Sequence, residues 1–201
     1  AAVLLAACNS GPKKPDISGI KVDVEVKRFD QDFFSIDTLN IDASMMALQN
    51  KYPQFLGVYL ENILGITNPE GLKAYINSYR SLYDSSQALY ANFEPVAGQL
   101  EKAFRYLKHY FPNYDLPKTI MPVLGPLETR EDLARMNSGE LTPNCLGPDF
   151  VGISLQFYLG KNFGAYQSEQ FVTNVAPLFR SRRFDSHYIT GDVMRLIADD
   201  L

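Results

Sequence analysis

The thiol of Cys8 has the most chemistry to offer in this chain, because Leu5-Ala6-Ala7 precede it and polar Asn9-Ser10 follow. Small side chains at Ala6 and Ala7 suit the narrow subsites of a signal peptidase, and Val3-Leu4-Leu5 reads as what remains of a membrane-inserting leader. On that reading Cys8 becomes the mature N-terminus and is lipidated, with a thioether-linked diacylglycerol and an N-acyl chain. At about 0.8 kcal/mol per buried methylene, such an anchor holds a protein stably to a membrane surface. A frayed apolar terminus with an ordinary thiol is the plainer alternative. The order of apolar run, small residues, cysteine and polar stretch favours acylation.

A second chemistry is anion binding. Arg180, Arg182 and Arg183 form the one dense cationic cluster, a candidate contact for an anionic group or a partner. Ion pairing with Asp149, Asp185 or Asp192 is the competing use of these side chains. Asp30-Gln31-Asp32 is the only close carboxylate pair in a place suited to a site, and adjacent acids after a strand read as solvated loop residues. Histidine is nearly absent. His109 and His187 each lack a ligand partner at i+4, and His109 is expected to be an exposed cation near a helix C-terminus. The sequence has no His-Glu-x-x-His, Cys-x-x-Cys, Gly-x-Ser-x-Gly or phosphate-binding glycine loop. Cys145 is left without an intramolecular disulfide partner if Cys8 is acylated, and it reads as a small buried hydrophobe. No cofactor and no metal site is expected.

The elements that would hold these residues belong to an α+β domain, predominantly helical with a small sheet. An apolar share of 46% permits a real core, and a net charge of −4 with both signs interspersed offers no basic stripe, so no nucleic-acid partner is expected. No run after Cys8 approaches the ~20 apolar residues of a membrane-spanning helix. Residues 1–7 are expected to be a residual signal peptide, 8–19 the lipidated N-terminus and its Pro-, Gly- and Lys-containing tether, and 20–201 a single domain. Truncation is expected at both ends, because no initiator Met precedes Ala1 and the last helix is still running at Leu201.

Periodicity locates the elements. Val22, Val24 and Val26 alternate with charged residues and predict a half-buried strand over Ile20–Phe29. Helices are predicted after Asp42, after the interruption at Tyr52-Pro53, and from Asn68-Pro69, where an N-cap precedes a proline at the first helical position. Asp84 with Gln87 resembles a capping box. The best-defined helix starts near Pro95 with Val96, Leu100, Phe104, Leu107 and Phe111 on one face. Lys118–Leu124 predicts a strand that Pro122 confines to an edge or bulge. Residues 128–148 read as a loop or hairpin, and Val151, Ile153, Leu155, Phe157 and Leu159 predict a second long strand. A helix broken at Pro177 covers Ser168–Arg183, and Asp185-Ser186 caps the last one.

Several segments together carry a family likeness: the lipobox at Cys8, Val22-Asp23-Val24-Glu25-Val26-Lys27-Arg28-Phe29-Asp30-Gln31-Asp32-Phe33-Phe34, and Lys51-Tyr52-Pro53-Gln54-Phe55. Phe104–Pro112, Val151–Gly160 and Tyr188-Ile189-Thr190-Gly191-Asp192 complete the pattern. With them the chain resembles the GldB family of gliding-motility lipoproteins. The resemblance implies a lipid-anchored envelope component required for surface gliding, non-catalytic, and acting with protein components of the gliding and secretion machinery. It also implies a zincin-like, metallopeptidase-like architecture, although the zinc signature is absent from Asp185–Leu201. Two alternatives stand beside this reading: a zinc-dependent peptidase with ligands beyond Leu201, and an envelope module that binds peptides by strand addition along Val151–Leu159. Asn9 is not an obvious inner-membrane retention residue, which favours the outer membrane.

Overall fold

The computed structural model describes residues 14–127 and 143–201 of the 201-residue chain. Cys8 and most of the expected 128–148 hairpin lie outside the described residues. A four-stranded mixed sheet, ordered β1-β2-β4-β3, carries helices and turns on both faces. Its strands are β1 (Glu25–Val26), β2 (Thr119–Val123), β3 (Cys145–Leu146) and β4 (Phe150–Ser154). The β1–β2 and β2–β4 pairs are parallel, and β3 runs antiparallel to β4. Burial on both faces explains why β2 and β4 read as near-continuous apolar runs: Ile120, Met121, Val123, Val151 and Ile153 are all buried.

The helices preceding β2 are α1 (Phe29–Phe34), α2 (Ile41–Lys51), a short α3 (Leu56–Val58) running into a π-helical turn at Tyr59–Leu64, α4 (Pro69–Ser78), α5 (Arg80–Tyr90) and α6 (Glu94–Tyr110). After β4 come α7 (Glu169–Asn174), α8 (Leu178–Ser181) and α9 (Ile189–Ala198). Helix α6 buries Val96, Leu100, Phe104 and Leu107, and α9 packs on it with Ile189, Val193 and Ile197 turned inward. Asn68 caps α4 by accepting from the Gly71 amide at 2.7 Å, with Pro69 in the first turn as expected. Gly65, at φ +65°, ends the π-helical turn in the left-handed conformation that glycine adopts without strain.

Five expectations are corrected. Val22, Val24 and Val26 do alternate with exposed neighbours, but only Glu25 and Val26 pair in the sheet, because the chain turns into α1 at Phe29. Asp84 and Gln87 lie inside α5 rather than at its start. Pro122 sits in a central strand: the Lys118 and Ile120 carbonyls accept from Glu25 and Lys27, so the even-numbered positions of β2 face β1, and β1 has ended by the level of Pro122. The missing N–H is therefore never called upon. The second strand stops at Ser154, where a 3₁₀ turn (Leu155–Phe157) takes over, and β4 is flanked by β2 and β3, so it offers no free edge for strand addition. Finally, α9 ends at Ala198 rather than running to Leu201.

An aromatic core ties the helical layer to the sheet. Phe29 meets Tyr59, Phe55 and Tyr52 edge-on at 4.7, 4.8 and 4.9 Å, and Phe33 meets Tyr59 at 5.0 Å. The hydroxyls of Tyr59 and Tyr75 both donate to the Leu124 carbonyl, at 2.5 and 2.8 Å, where β2 ends. The β3–β4 contact is as close. A Cβ on Gly152 would lie 2.4 Å from the Cys145 sulfur. Gly152→Ala is expected to destabilise the protein by about 1–3 kcal/mol through overpacking, and Cys145→Ala in the same chain to recover most of that loss. Urea unfolding of the two single variants and the double variant checks the coupling.

Candidate functional site

Helix α8 is a single turn following Pro177, and it leaves two large apolar side chains in solvent, Leu178 at 45% and Phe179 at 71% exposure. The three arginines on and after it diverge. The Arg183 guanidinium lies 3.5 Å from the Asp192 carboxylate and 5.1 Å from the centre of the Tyr188 ring. Arg180 is half-buried near Arg183 and Arg195, and burial, then those two charges, lowers its pKa from the ordinary value. Arg182 is exposed and lines a shallow cavity of about 540 Å³ with Lys161, Asn162, Gln167 and Leu178. Two cations and no carboxylate appear among these lining residues, so Arg182 is the arginine placed to meet an outside anion. Phe184 anchors the segment, packing edge-on to Tyr166 at 5.2 Å and to Phe157 at 5.4 Å.

Of the expected ion pairs, Arg183–Asp192 forms, whereas Asp149 faces Lys118 at 3.6 Å and Asp185 faces the His187 ring at 2.7 Å. Asp192 belongs to a polar cluster that periodicity alone does not reveal. The buried Tyr158 hydroxyl donates to Asp192 Oδ2 at 3.1 Å and accepts from Asn144 Nδ2 at 2.8 Å. Asn144 Oδ1 in turn accepts from the Ser154 amide at 3.3 Å, extending the β3 side of β4 by one side chain. Burial raises the Asp192 pKa above its ordinary value, against the opposing effects of the Tyr158 hydrogen bond and the Arg183 and Arg195 charges. Burial likewise pushes the Tyr158 hydroxyl up. One bond donated and one accepted occupy the phenol, and the cluster joins α9 to the end of the sheet.

The acidic pair at Asp30 and Asp32 is not a solvated loop. Both residues lie in α1, and Asp30 is 1% exposed. Arg28 grips it in bidentate fashion, Nε to Oδ1 at 2.9 Å and Nη2 to Oδ2 at 2.7 Å, and Gln87 Nε2 donates to Oδ2 at 2.9 Å. The same guanidinium donates to the Ala91 carbonyl at 3.0 Å and lies over the Phe93 ring. Asp32 accepts from Lys51 Nζ and from the Tyr52 hydroxyl. With its lone pairs taken by Arg28 and Gln87, Asp30 is built into the fold. His109 is exposed in the last turn of α6, as expected. Cys145 is half-buried against Gly152, and burial pushes its thiol up. Among the described residues, no group of three or more His, Cys, Asp or Glu side chains is arranged to hold a metal ion.

The sequence model of the family described as gliding motility protein GldB matches residues 10–201, nearly the whole chain. The chain belongs to the GldB family. No curated protein and no solved structure matches it. Membership makes this a gliding-motility lipoprotein by family and associates it with the membrane of the cell envelope. No helix among the described residues is long and apolar enough to cross a membrane. The match covers α8, its arginines and the Asp192 cluster, and it begins two residues after Cys8.

Asp192 yields a pH dependence with a defined sign. Its pKa in the folded protein lies above the 3.8 of the free side chain, so between those two values the folded state holds the extra proton. Stability contributed by this group is therefore present at low pH and lost as pH rises through the folded-state value. Asp192→Asn retains an acceptor for Tyr158 and has no carboxylate to ionise. Its urea midpoint is expected to gain on that of the unmodified protein as pH is raised above about 4. A constant difference between the two across pH 4–7 would remove burial as the dominant influence on Asp192.

Proposed function

We propose that the protein is a lipid-anchored, non-catalytic component required for gliding motility, held to the outer membrane through Cys8 and acting with protein components of the gliding and secretion machinery. The match of the gliding-motility family over residues 10–201 is the observation that carries this reading. The surfaces fit a protein that works by contact. Leu178, Phe179 and Arg182 present an apolar and cationic face beside the Lys161 cavity, a composition suited to the centre of a protein interface. The acidic and tyrosine side chains that could move protons, Asp30, Asp32, Tyr158 and Asp192, are engaged with one another or with arginine, lysine and amides. Residues 8–19 serve as the tether of a single domain over 20–201.

A zincin-like layout belongs to this proposal as its finer structural part. The contact of α9 with β3 and β4 gives a helix against the antiparallel edge of a small mixed sheet.

The experiment is surface spreading of a strain deleted for the gene and complemented with the full-length coding sequence, with Cys8→Ala, or with Lys161→Glu/Arg182→Glu. Deletion is expected to abolish spreading, the unmodified gene to restore it, and Cys8→Ala to fail while its product moves from the membrane to the soluble fraction. The charge-reversed form is expected to stay on the membrane and spread poorly. Normal spreading of the deleted strain would refute the motility role, and full rescue by the charge-reversed form would refute the contact surface.

A further inference from the structure

A second surface lies in the helical layer, away from the arginines of α8. Helix α2, the α3 turn with its π-helical continuation, and the start of α4 enclose a groove of about 270 Å³. Its floor is apolar: Ile41 and Leu72 are buried, and Met45, Leu60 and Ile66 are half-buried. Two carboxylates, Asp42 and Glu61, stand exposed in its lining, and no lysine or arginine lines it among the described residues. Met46, next to Met45 on α2, is 69% exposed, and Val58, next to Gly57 in the lining, is 47% exposed. The π-helical turn carries one residue more per hydrogen-bonded turn than an α-helix, a geometry frequent at functional sites. Gly57 adds space, since a Cβ built there meets nothing within 4 Å.

We infer that this groove docks a segment of another protein in which one large apolar side chain is flanked by lysine or arginine. The argument is charge complementarity around an apolar hole. The volume accommodates roughly one or two large side chains. Flexible methionine adapts a floor to more than one such side chain. Asp42 and Glu61 make no hydrogen bond or ion pair with described residues, so both are available to cations that flank the inserted side chain. An anionic lipid surface is disfavoured by the same two carboxylates. This inference rests on the reading that the protein works by protein contact, and it deepens that reading by assigning the chemistry of one partner segment.

The test is a fluorescence-anisotropy titration of the full chain with a labelled helical peptide of about sixteen residues, leucine on one face and lysine on the other. Glutamate replaces lysine in a control peptide. Two variants alter the groove at exposed positions: Asp42→Lys/Glu61→Lys reverses its rim, and Gly57→Leu fills it. The lysine peptide is expected to bind saturably and more tightly than the glutamate peptide, weakening with added salt, and each variant is expected to lose at least about tenfold in affinity. Equal affinity for the variants and the unmodified chain, or no saturable binding, would overturn the inference. Sedimentation in the absence of peptide covers the other occupant. Self-association that Phe179→Ser abolishes would assign the groove to the exposed Phe179 and neighbouring arginines of a second copy, and would also overturn it. None of these outcomes bears on spreading of the deleted strain, so the groove and the motility role fail separately.

Discussion

Burial of Phe29 and Phe33 on α1 is the constraint on which the arrangement depends. One helical turn that places these two rings, with Phe34, in the core also carries Asp30 into the protein, where it is 1% exposed. An isolated carboxylate there would cost several kcal/mol. Arg28, the residue just before the helix, meets it with two hydrogen bonds, and Gln87 from α5 supplies a third. The requirement to neutralise one acid thus fixes the distance between α1 and α5. β1 ends at Val26, two residues before Arg28. The rings that follow draw in Tyr52, Phe55 and Tyr59, and the Tyr59 hydroxyl reaches the end of β2.

That dependence separates what could be read in the sequence from what could not. Amphipathic stripes are local, so the buried faces of α4, α6 and α9 were legible together with the Asn68 cap of α4, as was the α+β class. Alternation at Val22, Val24 and Val26 correctly gave side-chain direction, but pairing depends on where β2 runs, and only two residues of the strand meet it. Pro122 looked like an edge residue because strand rules consider one missing donor at a time. Its place in a central strand follows from β1 stopping short, a long-range fact. Asp30 and Asp32 looked solvated because nothing local announces that Gln87, 57 residues away, donates to the first. Of the candidate site, pairing of an arginine with Asp149, Asp185 or Asp192 was expected, and spacing did not say that Asp192 would be the acid that meets Arg183. The cavity shared by Lys161 and Arg182, and the Tyr158–Asn144 link behind Asp192, join segments too far apart for spacing to connect.

The proposed function rests on surfaces rather than on reactive groups. On that proposal the domain stays folded beside a membrane and offers faces to partners. The chain provides one cationic face, with Phe179 and Arg182 on and after α8, and one acidic groove, with Asp42 and Glu61 above Met45 and Leu60. Leu178 and Phe179 stand on a single helical turn after Pro177, and Leu60 and Glu61 on a π-helical turn that ends at Gly65.

Equilibrium urea unfolding of Asp30→Ala beside Arg28→Ala and the double variant tests the central constraint most directly. Asp30→Ala leaves a largely buried guanidinium without its carboxylate and is predicted to cost about 3 kcal/mol or more, with the double variant costing less than the sum of the two single variants. A loss below about 1 kcal/mol for Asp30→Ala, or strict additivity across the cycle, would contradict the claim that this pair sets the position of α1 and everything packed upon it.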